Sequence, residues 1–256
     1  MSLAVYLINL DGSDERLTSA RAQLNAANVK FDRVSAFDGR GLTLDQFPDY
    51  DANAALSYMG RPLRGGEIGC YLSHLDCAKR FLASTAQHAL VLEDDMQLAS
   101  GAMETLSQML NWLTQHKQTW DVINIGADRL KYITPLAGFS VATGKVVLLK
   151  AHYFPMTTTA IVWSRQGAEA FVTGHKAIYA PVDNFLREWQ CTVDRGLSVS
   201  PPLVTTTGVT SDIDGGQSKR KSENRHPLYG WLKQKRVLRN KLRALRHQIK
   251  WRNTTL

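Results

Sequence analysis

His88-Ala89-Leu90-Val91-Leu92-Glu93-Asp94-Asp95 is the stretch on which the fold turns. An apolar run of strand length empties directly into three consecutive carboxylates. In open α/β sheets ligands bind beyond the carboxyl ends of the strands, so an acidic triplet there is placed for chemistry. Three adjacent acids repel one another unless a cation or hydrogen-bond donors compensate them. Oxygen-only ligation suits Mg²⁺ or Mn²⁺, particularly when substrate phosphates complete the shell. A solvated turn that caps a helix would carry the same residues, and the pattern alone leaves both readings open.

Working outward, the segments on either side alternate between strand and helix. Residues 4–10 form a short apolar run. Ser13 can cap a following helix, Asp14 and Glu15 complement its first turn, and Leu17, Ala20, Leu24 and Ala27 repeat at helical spacing. A second strand is expected over 30–35, then a long loop through Asp38-Gly39 and Pro48 that ends at Gly65-Gly66. A helix over 67–82 follows, with Leu72, Leu75, Ala78, Phe81 and Leu82 as its apolar stripe. Beyond the acids, Ser100 is placed to cap a helix that runs to about His116. Strands are expected over 122–125, 146–149 and 160–163. Ser164 is placed to cap one more helix, and Pro181 to begin another. This alternation argues for an α/β fold with a parallel sheet.

Composition narrows the class. With 256 residues, 44% hydrophobic and 21% charged, the chain is ordinary globular material, neither disordered nor collagen-like. Cys70, Cys77 and Cys191 have no zinc-ribbon spacing and, being odd in number, no closed disulfide scheme, which points to a reducing compartment. The first ten residues lack the basic region of a secretory signal, and no run of about 18 apolar residues is present. The net charge of +8 is uneven. From Lys219 to Arg252 there are thirteen Lys/Arg against one acid, Glu223, while the remainder is mildly acidic. The expected organisation is a catalytic domain over 1–215 and a basic tail over 216–256.

Several blocks resemble glycosyltransferase family 25, which includes bacterial lipooligosaccharide galactosyltransferases. They are Val5-Tyr6-Leu7-Ile8-Asn9-Leu10 with Arg16, Ser35-Ala36-Phe37-Asp38-Gly39, and Gly66-Glu67-Ile68-Gly69-Cys70-Tyr71-Leu72-Ser73-His74. Val91-Leu92-Glu93-Asp94-Asp95, Ala160 to Ala168 and Pro181-Val182-Asp183-Asn184-Phe185 complete the set. The resemblance runs in order over about residues 3–213.

The resemblance implies a GT-A-like, Rossmann-type mixed sheet flanked by helices. It also implies inverting transfer of a hexose, most often galactose from UDP-galactose, to a lipooligosaccharide- or lipopolysaccharide-type acceptor. Glu93-Asp94-Asp95 stands where the family's commonest form is Asp-x-Asp. Asp95 would then hold Mn²⁺ or Mg²⁺, with Glu93 as a further ligand, and Glu93 or Asp94 would lie near the ribose or sugar. Thr157-Thr158-Thr159 departs from relatives that carry Gly-Thr or a His, which leaves a third protein ligand unassigned. Inverting transfer needs a base for the acceptor hydroxyl that is not itself a metal ligand. Asp183, in a family-like block at a helix start, is the candidate, although it could also cap that helix. Asn9, Leu10, Arg16, Asp38 and Ser211 are candidate UDP-sugar contacts, with Asp212 and Asp214 beside Ser211 in a Thr/Gly-rich stretch. His74 could orient the site by hydrogen bonding. Ser73-His74 with Asp76 lacks the G-x-S-x-G elbow of a hydrolase.

In the tail, Trp231, Leu238, Leu242, Leu245 and Ile249 share one helical face and basic residues cover much of the rest. Such a helix suits an anionic membrane surface. It could instead pack its Leu face on the body, and nucleic acid is the least favoured partner. The expected enzyme is peripheral to the inner face of the cytoplasmic membrane. The alternatives are an adaptor that works through its tail and a metal-dependent phosphoesterase built on the acids.

Overall fold

The computed structural model describes residues 2–141, 144–208 and 225–254. These described residues form ten strands and seven α-helices. The first strand, β1 (Leu3–Asn9), leads through Ser13 at the N-cap into α1 (Asp14–Ala26), and β2 (Asp32–Ser35) follows. The expected loop contains a 3-10 turn at Leu44–Gln46 and a helix, α2 (Ala52–Met59), that the periodicity did not reveal. The Asp51 carboxylate caps α2 by accepting from Ala54 N at 2.8 Å, and Gly60 closes it with φ 72°. Then come α3 (Gly65–Ala83), β3 (His88–Glu93) and β4 (Met96–Leu98). Gly101, in the left-handed region, takes the N-cap of α4 (Ala102–Gln115) in place of Ser100.

The second half begins with β5 (Val122–Asn124). A long hairpin, β6 (Lys131–Val141) and β7 (Gly144–Tyr153), extends well past the expected short strand. Ser164 caps α5 (Arg165–Gly174) after β8 (Ala160–Ser164), its hydroxyl accepting from Gly167 N at 2.9 Å. Pro181 is the N-cap of α6 (Val182–Val193). Two further strands, β9 (Gly196–Ser200) and β10 (Val204–Thr206), and α7 (Tyr229–Thr254) are the last elements among the described residues.

The main sheet has the order β2-β1-β3-β8-β5-β9-β7-β6. It is mixed, as the family resemblance implied, and not the parallel sheet that alternation alone suggested. β1 runs parallel to β2 and β3, but β8 enters antiparallel between β3 and β5, and β7 is antiparallel to β9. β4 and β10 form a separate two-stranded sheet. Alternation along β1 sends Tyr6 and Ile8 to one core, with α3, α5 and α6, and Val5 and Leu7 to the other, with α1 and α4. Both faces are therefore covered, and the reactive surface is left to the strand ends.

α7 packs on α2, α6, β6 and β7. It does so through the face opposite the apolar one, so the alternative in which the Leu face packs on the body does not hold. Asn240 and Ala244 are buried, while Leu238, Leu242, Leu245, Ile249 and Trp231 are exposed. No helix among the described residues is long and apolar enough to cross a membrane.

Candidate functional site

The parallel pairing of β1 with β3 sets Ile8 opposite Glu93, so both strands deliver their last residues to the same edge. The three acids then diverge in environment. Asp94 is nearly buried. One of its oxygens accepts from Asn9 Nδ2 at 2.7 Å and the other from Arg16 Nη1 at 3.0 Å. This carboxylate ties the β3 exit to the β1 exit and to α1. Asn9 also donates to Ser13 O at 3.1 Å and accepts from Arg33 Nε at 2.9 Å. Of the expected nucleotide contacts at the β1 exit, Leu10 lines the cavity, whereas Asn9 is a buried crosslink beneath it.

Glu93 lies deeper. Its Oε1 is 3.1 Å from His74 Nε2, accepts from Thr158 Oγ1 at 2.7 Å, and is 4.0 Å from Cys70 Sγ. Burial pushes this carboxyl up, but the His74 and Thr158 hydrogen bonds outweigh it, and the group sits below its ordinary value. An ionised Glu93 requires the proton of His74 on Nε2. Cys70 and His74, four apart on α3, present their ligating atoms with Glu93 within 4.8 Å of one another.

Asp95 is the exception among the three. Its Oδ1 is buried and has no hydrogen-bond partner among the described residues. Burial first, then the Glu93 charge, pushes its carboxyl up to about 6, with Arg16 acting in the opposite direction. An uncompensated carboxylate beside two others is the donor set a hard divalent cation stabilises. The acidic turn therefore fits such an ion, with Asp95 and Glu93 as the residues that would hold it.

Two cavities meet here. The first is walled by Ile8, Leu10, Ala36 and Phe37 on its apolar side and by Arg16, Asp38, Arg40 and the three acids on its polar side. Arg40 grips Asp38 through Nε at 2.8 Å and holds its carboxyl down to about 2. The loop carrying Phe37 and Asp38 lies directly on α3. Phe37 N donates to Ser73 Oγ at 2.9 Å, and a Cβ at Gly69 would run into the Phe37 carbonyl oxygen. That close approach explains why the α3 motif carries Gly69.

The second cavity is lined by Arg61, Glu67, Cys70, Glu93, Thr157, Thr158 and the start of α6, including Asp183. Asp183 Oδ1 accepts from Asn184 N at 2.6 Å and Asn184 Nδ2 at 3.0 Å, and burial raises its carboxyl. Glu93 and Cys70 line both cavities. The arrangement can hold a charged, partly apolar ligand on one side and a hydroxylic one on the other, with carboxylates at the junction.

Of the residues singled out from the sequence, the structure brings Leu10, Arg16, Asp38, Glu93, Asp94 and Asp95 to one cavity and Asp183 to its neighbour. Ser211, with Asp212 and Asp214, lies outside the described residues. The sequence reading gave no functional role to Thr158, Cys70, Arg40 or Arg61. The spacing of Cys70 and His74 was the available signal for Cys70. Nothing local marks Thr158, whose partner is 65 residues away.

Human procollagen galactosyltransferase 2 is 27% identical over 187 residues, which is 71% of this chain and 29% of that protein. A rat protein named probable inactive glycosyltransferase 25 family member 3 is 28% identical over 193 residues, 71% of this chain and 32% of its own. The chain thus spans about a third or less of these relatives. A crystal structure of a glycosyltransferase involved in glycosylation of the major capsid of PBCV-1 superposes over 84% of this chain and 98% of its own, with a TM-score of 0.42 and 9% identity. The model described as glycosyltransferase family 25 (LPS biosynthesis protein) matches residues 2–186, and the chain belongs to that family.

Proposed function

We propose that the chain transfers a hexose, galactose in the first instance, from a UDP-sugar to a lipooligosaccharide- or lipopolysaccharide-type glycan, in a metal-dependent reaction that inverts the anomeric centre. The names of the procollagen galactosyltransferases support the sugar, and the family description supports the acceptor class. The observation that carries the reading is Asp95, a half-buried carboxylate on the wall of the first cavity whose buried Oδ1 has no hydrogen-bond partner among the described residues.

In this reading the first cavity takes the donor. Phe37 and Leu10 offer apolar surface to the uracil ring, and Arg16 places a cation near the diphosphate. Asp95 and Glu93 are the residues that would hold Mn²⁺ or Mg²⁺, which would supply charge neutralisation for the departing diphosphate. The second cavity takes the acceptor. Asp183 removes the proton from the acceptor hydroxyl as its oxygen attacks the anomeric carbon and the sugar–phosphate bond breaks. A carboxyl raised by burial is the stronger base for that step. His74 and Thr158 fix the Glu93 carboxylate at the junction. A lipid-linked acceptor places the work at the cytoplasmic side of a bacterial membrane.

The test is thermal unfolding of the full chain with a panel of UDP-sugars, with Mn²⁺ or with chelator, followed by assay of UDP release with lipooligosaccharide acceptors. A ligand at a hundred times its dissociation constant adds about 2.7 kcal/mol, so stabilisation by UDP-galactose only in the presence of metal is the expected result. Metal-independent stabilisation would remove the metal. Donor binding without transfer to any such glycan would remove the acceptor reading.

A further inference from the structure

The docking of α7 reverses the usual use of an amphipathic helix. Its polar face holds it to the body. Arg239 Nη2 and Arg243 Nη1 both reach Glu188 Oε1 at 2.7 Å, and Arg243 also reaches Thr192 Oγ1 at 3.1 Å. Arg236 bonds to the Tyr58 carbonyl and stacks on the Tyr58 ring at 5.0 Å. Gln248 Nε2 donates to Ile133 O at 2.7 Å, and Lys150 lies over the Trp251 ring at 5.3 Å. Burial of Asn240 and Ala244 completes that face.

The apolar face is left outside. Trp231 is 56% exposed, Leu238 58%, Leu242 45%, Leu245 40% and Ile249 50%. From Trp231 to Ile249 this stripe runs for about 27 Å along the helix. Contiguous apolar surface of this kind, rimmed by polar groups, marks an interaction site. The rim is rich in cations. Lys235, Lys241 and Arg246 flank the stripe, and Tyr229–Thr254 contains no acidic residue.

We propose that the outer face of α7 is a docking surface for an anionic lipid bilayer. The helix axis lies in the membrane plane, the stripe enters the interface, and the flanking cations meet the headgroups. An anionic bilayer complements both features at once, since its headgroups match the cations and its acyl boundary matches the leucines. A second copy of the chain would set two cationic rims against each other. A nucleic-acid backbone would find its footprint centred on leucine. Trp231, with Lys235 Nζ 4.8 Å above its ring, pairs an aromatic with a cation at one end of the stripe, the composition of an interfacial anchor. The body is thus oriented by Glu188 and Tyr58 relative to the lipid, whatever reaction it performs.

The experiment is flotation of the full chain with vesicles of phosphatidylcholine, with and without phosphatidylglycerol, at low and high salt. Two variants accompany it, Leu238→Ser/Leu242→Ser/Leu245→Ser and Lys235→Gln/Lys241→Gln/Arg246→Gln. The expected results are binding only to phosphatidylglycerol vesicles, weakening as salt rises, and loss of binding in the leucine variant. The cation variant should bind roughly a hundredfold more weakly, the worth of three basic residues at an anionic surface. Both variants should keep the parent's thermal unfolding midpoint, because none of the changed side chains makes the hydrogen bonds that dock the helix. The proposal is overturned if the leucine variant floats like the parent or unfolds at a clearly lower temperature. It is equally overturned if light scattering finds a dimer that the leucine changes dissociate without any vesicle binding, or if duplex DNA is bound and vesicles are not.

Discussion

His74 Nε2 lies 3.1 Å from Glu93 Oε1, and the carboxylate it touches is shared by the two cavities of the site. His74 is fully buried, so the contact is shielded from water. It offsets the burial of Glu93 and keeps that group ionised below its ordinary value. A depressed carboxyl contributes stability above its unfolded pKa and loses it as pH falls through the folded one. Replacing His74 by Phe removes the donor while keeping the ring. The variant should be less stable than the parent at pH 7, and the gap should narrow at pH 3. Donor affinity should also fall at least tenfold. Thermal unfolding at the two pH values checks the sign, and an equal gap at both would assign His74 to packing alone.

Asp95 makes the opposite prediction. Its carboxyl stands at about 6, above the unfolded value of 3.8, so the ionised group opposes the metal-free fold at neutral pH. Asp95→Asn should raise the unfolding temperature at pH 7.5 in the absence of metal, and the gain should vanish below about pH 4. The same change should abolish Mn²⁺-dependent binding of UDP-galactose. Calorimetric titration together with thermal unfolding reads both effects. A destabilised variant that still binds donor with metal would contradict the assignment.

The third acid is structural in its contacts. Asp94 has one oxygen on Asn9 and the other on Arg16, and little of it is exposed. Arg16→Met leaves a nearly buried carboxylate short of one partner, at a cost of about 1–3 kcal/mol. Changing Asp94 to Leu in the same chain removes the uncompensated charge, so the double variant should recover part of that loss. Urea unfolding of the two single variants and the double variant closes the cycle. Strict additivity would mean that the two side chains do not interact.

The elements legible in the sequence are those whose burial is periodic. β1, β3 and β8 read as apolar runs because both faces of the sheet are covered there, and Ser164 announced α5 through its cap. α2 has only Ala55 and Met59 buried, too few for a stripe, although its start at Asp51 and stop at Gly60 are local signals. β6 is largely half-exposed, with Pro135 at a register shift, so it shows neither alternation nor an apolar run. At the site, the acids were legible because a strand end concentrates them. Their separation into a crosslink (Asp94), a compensated carboxylate (Glu93) and an uncompensated one (Asp95) depends on Arg16, His74 and Thr158, which only the sheet brings together. The amphipathicity of α7 was equally plain. Which face met the body was decided by Glu188 and Tyr58 on other helices, partners that no periodicity within α7 encodes.

Asp183 gives the sharpest kinetic prediction. It lines the second cavity and not the first, its carboxyl is raised by burial, and its Oδ1 is steadied by two donors from Asn184. If it takes the acceptor proton, its charge matters to the transfer step and little to donor binding. Asp183→Asn keeps the shape and removes the basic oxygen. The expected result is a fall of 10²–10⁴-fold in kcat, the typical worth of a positioned base, with UDP-galactose affinity changed by less than threefold. Loss of kcat and of kcat/KM in equal measure is the signature of a group that acts only in the transition state. The pH profile separates this from a positioning role. In the parent, the rate should climb with pH through the raised carboxyl of Asp183 and then level off. In the variant that limb should disappear while residual transfer persists. Single-turnover rates with saturating donor, across pH, measure both quantities. A variant that loses donor affinity but transfers at the parent's single-turnover rate would place Asp183 in donor binding and leave the base to another residue of the second cavity.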